Sequence, residues 1–135
     1  MRIVLDTNAL IQSIPERSPY HPVWRSILNG ENTLCITNEI LEEYAEILQR
    51  LAGKETAEYV LGAIIKCKYV EHITPHFRFN LITADPDDNK FVDCAIVGNA
   101  RYIVTNDRHY DVLRTIDFPV VDIISLRDFL KLLHP

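Results

Sequence analysis

The sequence predicts an α/β layered fold with a mainly parallel sheet, formed by one domain over residues 1–135. Short apolar runs rich in β-branched residues alternate with longer amphipathic segments almost throughout the chain, which is the pattern of strands that alternate with helices. Hydrophobic residues make up 47% of the chain and charged residues 24%, as in ordinary globular domains that bury a core of their own.

The first half of the chain contains two short buried strands, and each leads into a helix. Strands are predicted over residues 3–5 and 33–36, and helices over residues 9–14, 23–28 and 38–51. The triplet Asp6-Thr7-Asn8 follows the first strand directly and has the composition of a helix cap. Thr37 holds the same place after the second strand and caps the longest of these helices.

One glutamate of that long helix, Glu43, is predicted to face the protein interior. The apolar stripe of the helix consists of Ile40, Leu41, Tyr44, Ile47, Leu48 and Leu51. At about 100° per residue, Glu43 lies at the edge of this stripe, whereas the other glutamates of the helix lie on the far, solvated side.

The second half of the chain continues the alternation. Helices are predicted over residues 54–68, from Pro86, over residues 108–114, and from the cap Ser125 to Leu133. Strands are predicted over residues 69–73, from Tyr102 to a final Asp107, and over residues 119–124. In the first of these helices, the side chains of Val60, Leu61, Ile64 and Ile65 are expected to face inward. Between these elements, residues 76–83 form a loop with interleaved aromatic and basic side chains.

The helix that begins at Pro86 carries acidic residues in its first turn. Asp85 suits the cap position and Pro86 the first helical position, where a missing N–H costs nothing. The apolar face of this helix consists of Phe91, Val92, Ala95 and Ile96. Asp88 projects on the same face, where a carboxylate is costly unless its charge is compensated, whereas Asp93 points to one side. The competing account is a capping box of Asp85 and Asp88.

Four acidic residues are expected to converge at one edge of the sheet. Asp6 and Asp107 each follow a strand, while Glu43 and Asp88 lie near the starts of helices. In parallel sheets, ligands bind beyond the carboxyl ends of the strands. Converging carboxylates repel one another unless cations or shared protons compensate them. Oxygen ligands without clustered His or Cys favour Mg²⁺ or Mn²⁺ and disfavour structural zinc, so we expect a Mg²⁺ or Mn²⁺ site.

Composition and charge exclude several other classes of protein. The net charge of −5 argues against a protein that coats nucleic acid by bulk electrostatics. No apolar run approaches the ~18 residues of a membrane span, and no secretory signal pattern is present, so we expect a cytoplasmic protein without membrane contact. The chain has three cysteines, Cys35, Cys67 and Cys94, and each has apolar neighbours in sequence. An odd number of cysteines in apolar surroundings predicts buried free thiols.

Taken together, these motifs resemble those of the PIN domain family. The resemblance rests on a first strand that runs into Asp-Thr-Asn, a helix with an inward Glu, the run Asp-Pro-Asp-Asp-Asn-Lys-Phe from Asp85, and Val-Thr-Asn-Asp from Val104. It spans essentially the whole chain and is strongest for the toxin components of toxin–antitoxin systems, relatives of VapC-type toxins. The resemblance implies a three-layer α/β/α sandwich and a Mg²⁺- or Mn²⁺-dependent ribonuclease.

The resemblance also implies roles for individual residues. The acidic residues of the family's catalytic metal site fall on Asp6, Glu43, Asp88 and Asp107, and its small polar residues near the metal fall on Asn8 and Thr105. The third acid is ambiguous in sequence, because Asp85, Asp87 and Asp93 are close to Asp88. Many toxins of this kind have Asn near the fourth position, so Asp107 is expected to bind metal directly or through water.

Further expectations concern the substrate and the partners. Substrate RNA would contact the basic residues near the same edge, which are Arg78, Lys90, Arg108 and His109, and its bases would stack on Phe77, Phe79 or Tyr110. The apolar surface of helices such as residues 55–68 predicts a homodimer. The resemblance to toxins implies a cognate antitoxin protein that covers the acidic cleft.

Two other kinds of function compete with this hypothesis. Phospho-aspartyl phosphatases and receiver domains also place an Asp after a parallel strand. The phosphatase motif requires a second Asp where this chain has Asn8, and the receiver requires a Lys that the last strand region lacks. The other alternative is a PIN-like module that serves RNA processing, or that binds RNA or a partner without cleavage. Loss of an acid would indicate a non-cleaving module, and all four acids are present.

Overall fold

The chain folds around a five-stranded sheet in which every neighbouring pair of strands is parallel. The fold is described here from a computed structural model that covers residues 1–134. The strands are β1 (Arg2–Leu5), β2 (Thr33–Ile36), β3 (Val70–His72), β4 (Tyr102–Val104) and β5 (Ile123–Ile124), and their order across the sheet is β3-β2-β1-β4-β5. The parallel sheet expected from the alternation of strands and helices is therefore confirmed.

Helices cover both faces of this sheet and form an α/β/α sandwich. They are α1 (Thr7–Ser13), α2 (His21–Leu28), α3 (Asn38–Ala52), α4 (Lys54–Lys66), α5 (Asn89–Val97) and α6 (Leu126–Leu133), with 3-10 helices over Pro86–Asp88 and Arg108–Thr115. Helix α5 packs on β1, β2 and β4, and α3 and α4 form a hairpin. Ile3, Val4 and Leu5 of the central strand are completely buried, as expected for a parallel strand covered on both faces.

Most helix caps lie where the sequence places them. The side chain of Asp6 accepts the backbone N–H of Thr7 at the start of α1, and Thr37 Oγ1 accepts the N–H of Ile40 at 3.1 Å at the start of α3. Ser125 caps α6 through the N–H of Asp128 at 3.1 Å. These contacts satisfy backbone donors that have no partner inside a helix.

The structure corrects the bounds of several elements. The last strand is limited to Ile123–Ile124 and does not begin at Pro119, because its partner β4 is only three residues long and pairs only with these two residues. The helix predicted from Pro86 begins as a 3-10 turn and becomes α-helical only at Asn89. The short helix after Asp107 is also a 3-10 helix.

Two side chains assigned to apolar stripes are in fact exposed. Leu51 is 62% exposed and Ile65 is 59% exposed. Because α3 and α4 pack against each other as a hairpin, only one side of each helix is covered, and these residues lie outside the contact. Cys35 and Cys94 are buried free thiols as predicted, while Cys67 is partly exposed.

Candidate metal centre

The acidic residues that follow β1 and β4 lie side by side because these two strands are neighbours. Leu5 pairs with Val104 in the sheet, and the backbone N–H of Asp6 donates to Val104 O at 3.1 Å. Asp107 follows shortly after and caps the next 3-10 helix. Asp6, Glu43, Asp88 and Asp107 are called the acidic edge below.

Asp6 is held rigidly at the end of β1. Its Oδ1 accepts the backbone N–H of Thr7 at 2.9 Å, and its Oδ2 accepts the hydroxyl of Thr105 at 2.9 Å. Burial raises the pKa of Asp6 to about 6, an increase that the charges of Asp107 and Glu43 reinforce and the two hydrogen bonds oppose. The carboxylate is therefore oriented by its donors while its negative charge is poorly solvated.

Asp88 is the acidic residue whose surroundings compensate its charge least. It is 8% exposed, and its Oδ2 has no hydrogen-bond partner among residues 1–134. Burial raises the pKa of Asp88 to about 7, and the charges of Asp6, Asp85 and Asp107 add to the increase. The Tyr110 hydroxyl lies close enough to oppose this increase slightly, but it does not reach hydrogen-bond geometry with Asp88 Oδ2. A buried oxygen without a partner is costly, and a bound cation would remove that cost.

The capping-box account of Asp88 does not fit this geometry. Asp85 does act as a cap, since its Oδ1 accepts the backbone N–H of Asp87 at 3.3 Å. A capping box also requires the second acid to accept the N–H of the cap residue. Asp88 Oδ2 accepts no hydrogen bond within residues 1–134, so capping explains Asp85 and leaves this buried oxygen of Asp88 unexplained.

Glu43 faces inward as the periodicity of α3 predicts, and both of its carboxylate oxygens have donors. Oε2 accepts the hydroxyl of Thr7, and Oε1 accepts the ammonium of Lys90 at 2.8 Å. The Glu43 and Lys90 side chains are only 23% and 17% exposed. Lys90 was predicted to contact substrate, and in this structure its direct partner is Glu43.

Asp107 and Thr105 form a turn that links β4 to the acidic edge. Thr105 Oγ1 accepts the backbone N–H of Asp107 at 3.0 Å while it donates to Asp6. Asp107 Oδ1 accepts the backbone N–H of His109 at 2.9 Å. Thr105 thus orients Asp6 and positions Asp107 at once, and the place near a metal that the resemblance implies for it stays a prediction.

The sequence profile of the PIN domain family matches residues 2–109. The chain belongs to the PIN domain family. That span contains β1 to β4 and all four residues of the acidic edge, so the resemblance drawn from the motifs is confirmed. No curated protein sequence matches the chain.

Solved structures of PIN proteins share this fold at low sequence identity. VapBC2 from Rickettsia felis, bound to a DNA fragment from its promoter, superposes with a TM-score of 0.65 at 18% identity, covering 93% of this chain and 98% of that chain. DNA-bound VapBC from Salmonella typhimurium gives 0.61 at 20%, with 93% and 98% covered. The PIN domain endonuclease Utp24 gives 0.54 at 17%, with 92% and 84% covered.

In this PIN domain the other candidates for the third acid have different surroundings from Asp88. Asp93 is buried, but its Oδ1 accepts the backbone N–H of Phe79 at 3.1 Å. Asp87 is exposed, and Asp85 is partly exposed beside the acidic edge. Among these acids, Asp88 alone combines burial with an unpaired oxygen in the described chain.

Residues expected to contact substrate occupy three kinds of position. Arg108 is exposed after the end of β4. Asn8, which the resemblance places near the metal, is exposed in the first turn of α1. Arg78 is exposed and pairs with Glu39 at 3.3 Å. Tyr110 is completely buried, so the expectation that it stacks on bases is wrong, because its ring packs in the core and is closed to solvent. Its hydroxyl has no hydrogen-bond partner within residues 1–134.

His109 lies near the acidic edge as predicted, but the sequence interpretation missed that its ring nitrogen approaches the carboxylates. Its Nδ1 lies 3.4 Å from Asp107 Oδ1, 3.8 Å from Asp88 Oδ2 and 3.9 Å from Asp85 Oδ2. The expectation of a cluster without histidine is therefore wrong. The two-residue spacing between Asp107 and His109 could have predicted this contact, because Asp107 caps the 3-10 helix that contains His109 and so keeps His109 close to the same edge.

Asn89 is a second residue that the motifs did not single out. Its side-chain amide donates to Ile82 O at 2.8 Å, and its Oδ1 accepts the N–H of Ile82 at 2.9 Å. With Asp93 and Phe79, this pairing attaches the loop before Asp85 to α5. The loop therefore has a defined position beside the acidic edge without secondary structure of its own.

Proposed function

We propose that this PIN domain is a metal-dependent endoribonuclease that acts as the toxin of a toxin–antitoxin pair. The observation that carries the proposal is the buried Asp88, whose Oδ2 has no partner in the described chain, beside Asp6 and Asp107. PIN domains are generally nucleases. The similarity to the PIN domain endonuclease Utp24 and to VapBC structures supports the two parts of the proposal.

The residues present fit a divalent cation. The acidic edge offers carboxylate oxygens, the donors that Mg²⁺ and Mn²⁺ prefer, and the unpaired Asp88 Oδ2 supplies the buried negative charge that a cation would neutralise. Asp6, Glu43, Asp88 and Asp107 would hold the ion. Such an ion would act as a Lewis acid toward the scissile phosphodiester and promote attack by water.

The chain's own side chains hold this arrangement in place. Thr105 and the backbone N–H of Thr7 orient Asp6, while Lys90 and the Thr7 hydroxyl orient Glu43. Because the donors to Asp6 are fixed by β1 and β4, this carboxylate needs little rearrangement when a cation binds. Glu43 would have to release Lys90 or Thr7 before it could bind the ion.

Basic and aromatic residues next to the acidic edge support RNA as the substrate. A cleft of about 110 Å³ lies beside Lys90 and is lined by Phe77 and Arg78 among others. Phe77 is 68% exposed, so an unpaired base could stack on its aromatic ring. We propose that Arg78 and Arg108 bind backbone phosphates and that Lys90 contacts substrate only after it separates from Glu43.

The catalytic part of the proposal is tested by RNA cleavage with purified protein. Asp6→Asn should lower the cleavage rate of single-stranded RNA with Mn²⁺ by at least about a hundredfold, since even residues that support metal ligands contribute 10–100-fold. The exposed Asp117→Asn is the matched control and should cleave like the parent. Equal rates for Asp6→Asn and the parent, or no cleavage by the parent with either Mn²⁺ or Mg²⁺, would contradict the proposal.

The toxin part requires a partner protein encoded nearby. We propose a cognate antitoxin that covers the acidic edge, and a homodimer formed through the exposed apolar residues of the α3–α4 hairpin, which include Leu51, Tyr59 and Ile65. Expression of the chain alone should arrest growth of a bacterial host, and co-expression of the upstream gene should relieve the arrest. Light scattering should give about twice 15.6 kDa; a particle of 15.6 kDa at micromolar concentration would contradict the homodimer.

The second candidate is an RNA-processing or non-cleaving PIN module, and a non-cleaving module is favoured by the Glu43 carboxylate, since Thr7 and Lys90 already donate to both of its oxygens. It predicts no growth arrest and no antitoxin gene upstream. No helix of the described residues is both long and apolar enough to cross a membrane, and a cytoplasmic location stays part of the proposal. The single domain over residues 1–135 likewise stays a prediction.

A further inference from the structure

The ring of His109 brings one nitrogen donor to a group of carboxylates. Its Nδ1 and one carboxylate oxygen each from Asp85 and Asp88 lie within 4.8 Å of one another. The position of His109 is fixed through its backbone, because its N–H donates to Asp107 Oδ1 at 2.9 Å. The side chain is 47% exposed, so the ring has room to turn while its backbone stays in place.

The distances between these atoms match those between ligands of one ion. At 3.8 Å and 3.9 Å, His109 Nδ1 is too far from Asp88 Oδ2 and Asp85 Oδ2 for a hydrogen bond. Two atoms that each bind a cation at about 2.1 Å are separated by about 3 to 4 Å, depending on the angle at the ion. The distances from His109 Nδ1 to the two carboxylate oxygens therefore fit atoms that bind one cation better than atoms that bond to each other directly.

A second, independent observation points into the same space. The atom of Asp88 that faces His109 is Oδ2, which is buried and has no partner among residues 1–134. If protonated His109 were present only to pair with Asp88, a hydrogen bond between them would be expected, because a charge-assisted bond is short and strong. The structure shows a separation of 3.8 Å instead.

We propose that His109 Nδ1 and Asp85 bind the same divalent cation as Asp88, and that this nitrogen ligand makes the site prefer Mn²⁺ to Mg²⁺. The inference rests on the proposed metal-dependent function, and it assigns His109 to metal binding and no longer to substrate binding. Mg²⁺ takes oxygen ligands almost exclusively, whereas affinity of an imidazole nitrogen rises along the first-row transition metals. The acidic edge alone would discriminate little between the two ions.

The test is pulsed electron paramagnetic resonance of Mn²⁺ bound to the full chain, which detects a coupled ¹⁴N nucleus directly. The parent should show coupling to one imidazole nitrogen. His109→Ala and His109→Gln should lose it, and His134→Ala, an exposed histidine beyond the end of α6, should retain it. Calorimetry should show that His109→Ala weakens Mn²⁺ binding on the order of tenfold, with a much smaller effect on Mg²⁺.

The outcomes separate this inference from the proposed function. Bound Mn²⁺ without nitrogen coupling in the parent, together with RNA cleavage that depends on Asp6, would overturn the role of His109 and leave the nuclease proposal standing. Equal losses of Mn²⁺ and Mg²⁺ affinity in His109→Ala would overturn the selectivity. Failure of the parent to bind either ion would overturn both proposals. Thermal unfolding of His109→Gln checks that the variant keeps its fold.

Discussion

Asp88, at the end of the 3-10 helix, and Asp93, in the middle of α5, are two buried aspartates with opposite surroundings. Asp93 accepts the backbone N–H of Phe79 and lies near the positive charge of Arg78, both of which oppose the increase in pKa that burial causes. Asp88 lies among other carboxylates, which add to the effect of burial and raise its pKa to about 7.

The comparison shows that burial alone does not identify a functional carboxylate. Asp88 is 8% exposed and Asp93 is 6% exposed, so burial makes both residues candidates. The difference is in the partners: Asp93 has a donor that explains its burial, and Asp88 has an oxygen without one in the described chain. We therefore assign Asp93 to the attachment of the preceding loop and Asp88 to the proposed metal site.

The largest expected effect is on stabilisation by metal. Mn²⁺ at a hundred times its dissociation constant should stabilise the parent by about 2.7 kcal/mol, because it binds only the native state. Asp88→Asn should lose most of this stabilisation, yet its metal-free form should be at least as stable as the parent at pH 7.5, because one repelling charge is gone. Asp93→Asn is the comparison variant and should keep the metal effect. Chemical unfolding with EDTA and with Mn²⁺ measures both, and equal metal shifts in Asp88→Asn and the parent would refute the assignment.

A smaller effect is expected where α5 holds the loop. Asn89→Ala removes both side-chain partners of the Ile82 backbone and should lower the free energy of unfolding by about 1–3 kcal/mol, the cost of leaving buried polar groups unpaired. The exposed Asn38→Ala, at the start of α3, is the matched control and should change stability by about 0.5 kcal/mol or less. Thermal unfolding without metal compares the two, and a neutral Asn89→Ala would show that the loop is held by other contacts.

A further expected effect is the pH dependence of the metal-free protein. The native pKa of Asp88, about 7, lies above the ~3.9 of an unfolded aspartate, so the native state binds more protons between these values. Stability from this group is therefore complete below about pH 4 and is lost as pH rises through about 7. Asp6 contributes in the same direction up to about pH 6.

Melting temperatures between pH 4 and pH 8 with EDTA test this slope. Asp88→Asn should flatten the decline more than Asp93→Asn, since the hydrogen bond and Arg78 limit the shift of Asp93. A parent whose stability rises over this range would contradict the electrostatic account of the acidic edge. Identical slopes in the two variants would remove the distinction between Asp88 and Asp93.

The sequence by itself determined the elements whose residues repeat a local pattern. The run Ile3-Val4-Leu5 predicts a fully buried strand, and the apolar spacing of α3 places Glu43 inward, because both depend on a periodicity that the backbone imposes. The convergence of Asp6 and Asp107 also followed, since the carboxyl ends of parallel strands share one edge. The angular position of Asp88 predicted an inward side chain, and Asp88 is buried, but Asp93 is buried as well, so the helical angle alone did not separate the two residues.

Only the tertiary structure decided which side chains meet across elements. A helical angle shows the direction of a side chain from its own axis, but the partner there comes from a distant part of the chain: Lys90 for Glu43, Phe79 for Asp93, and Asp85 for His109. The burial of Tyr110 could not be predicted from the sequence for the same reason. The packing of its 3-10 helix against the sheet depends on the surrounding core and not on the residues of that helix alone.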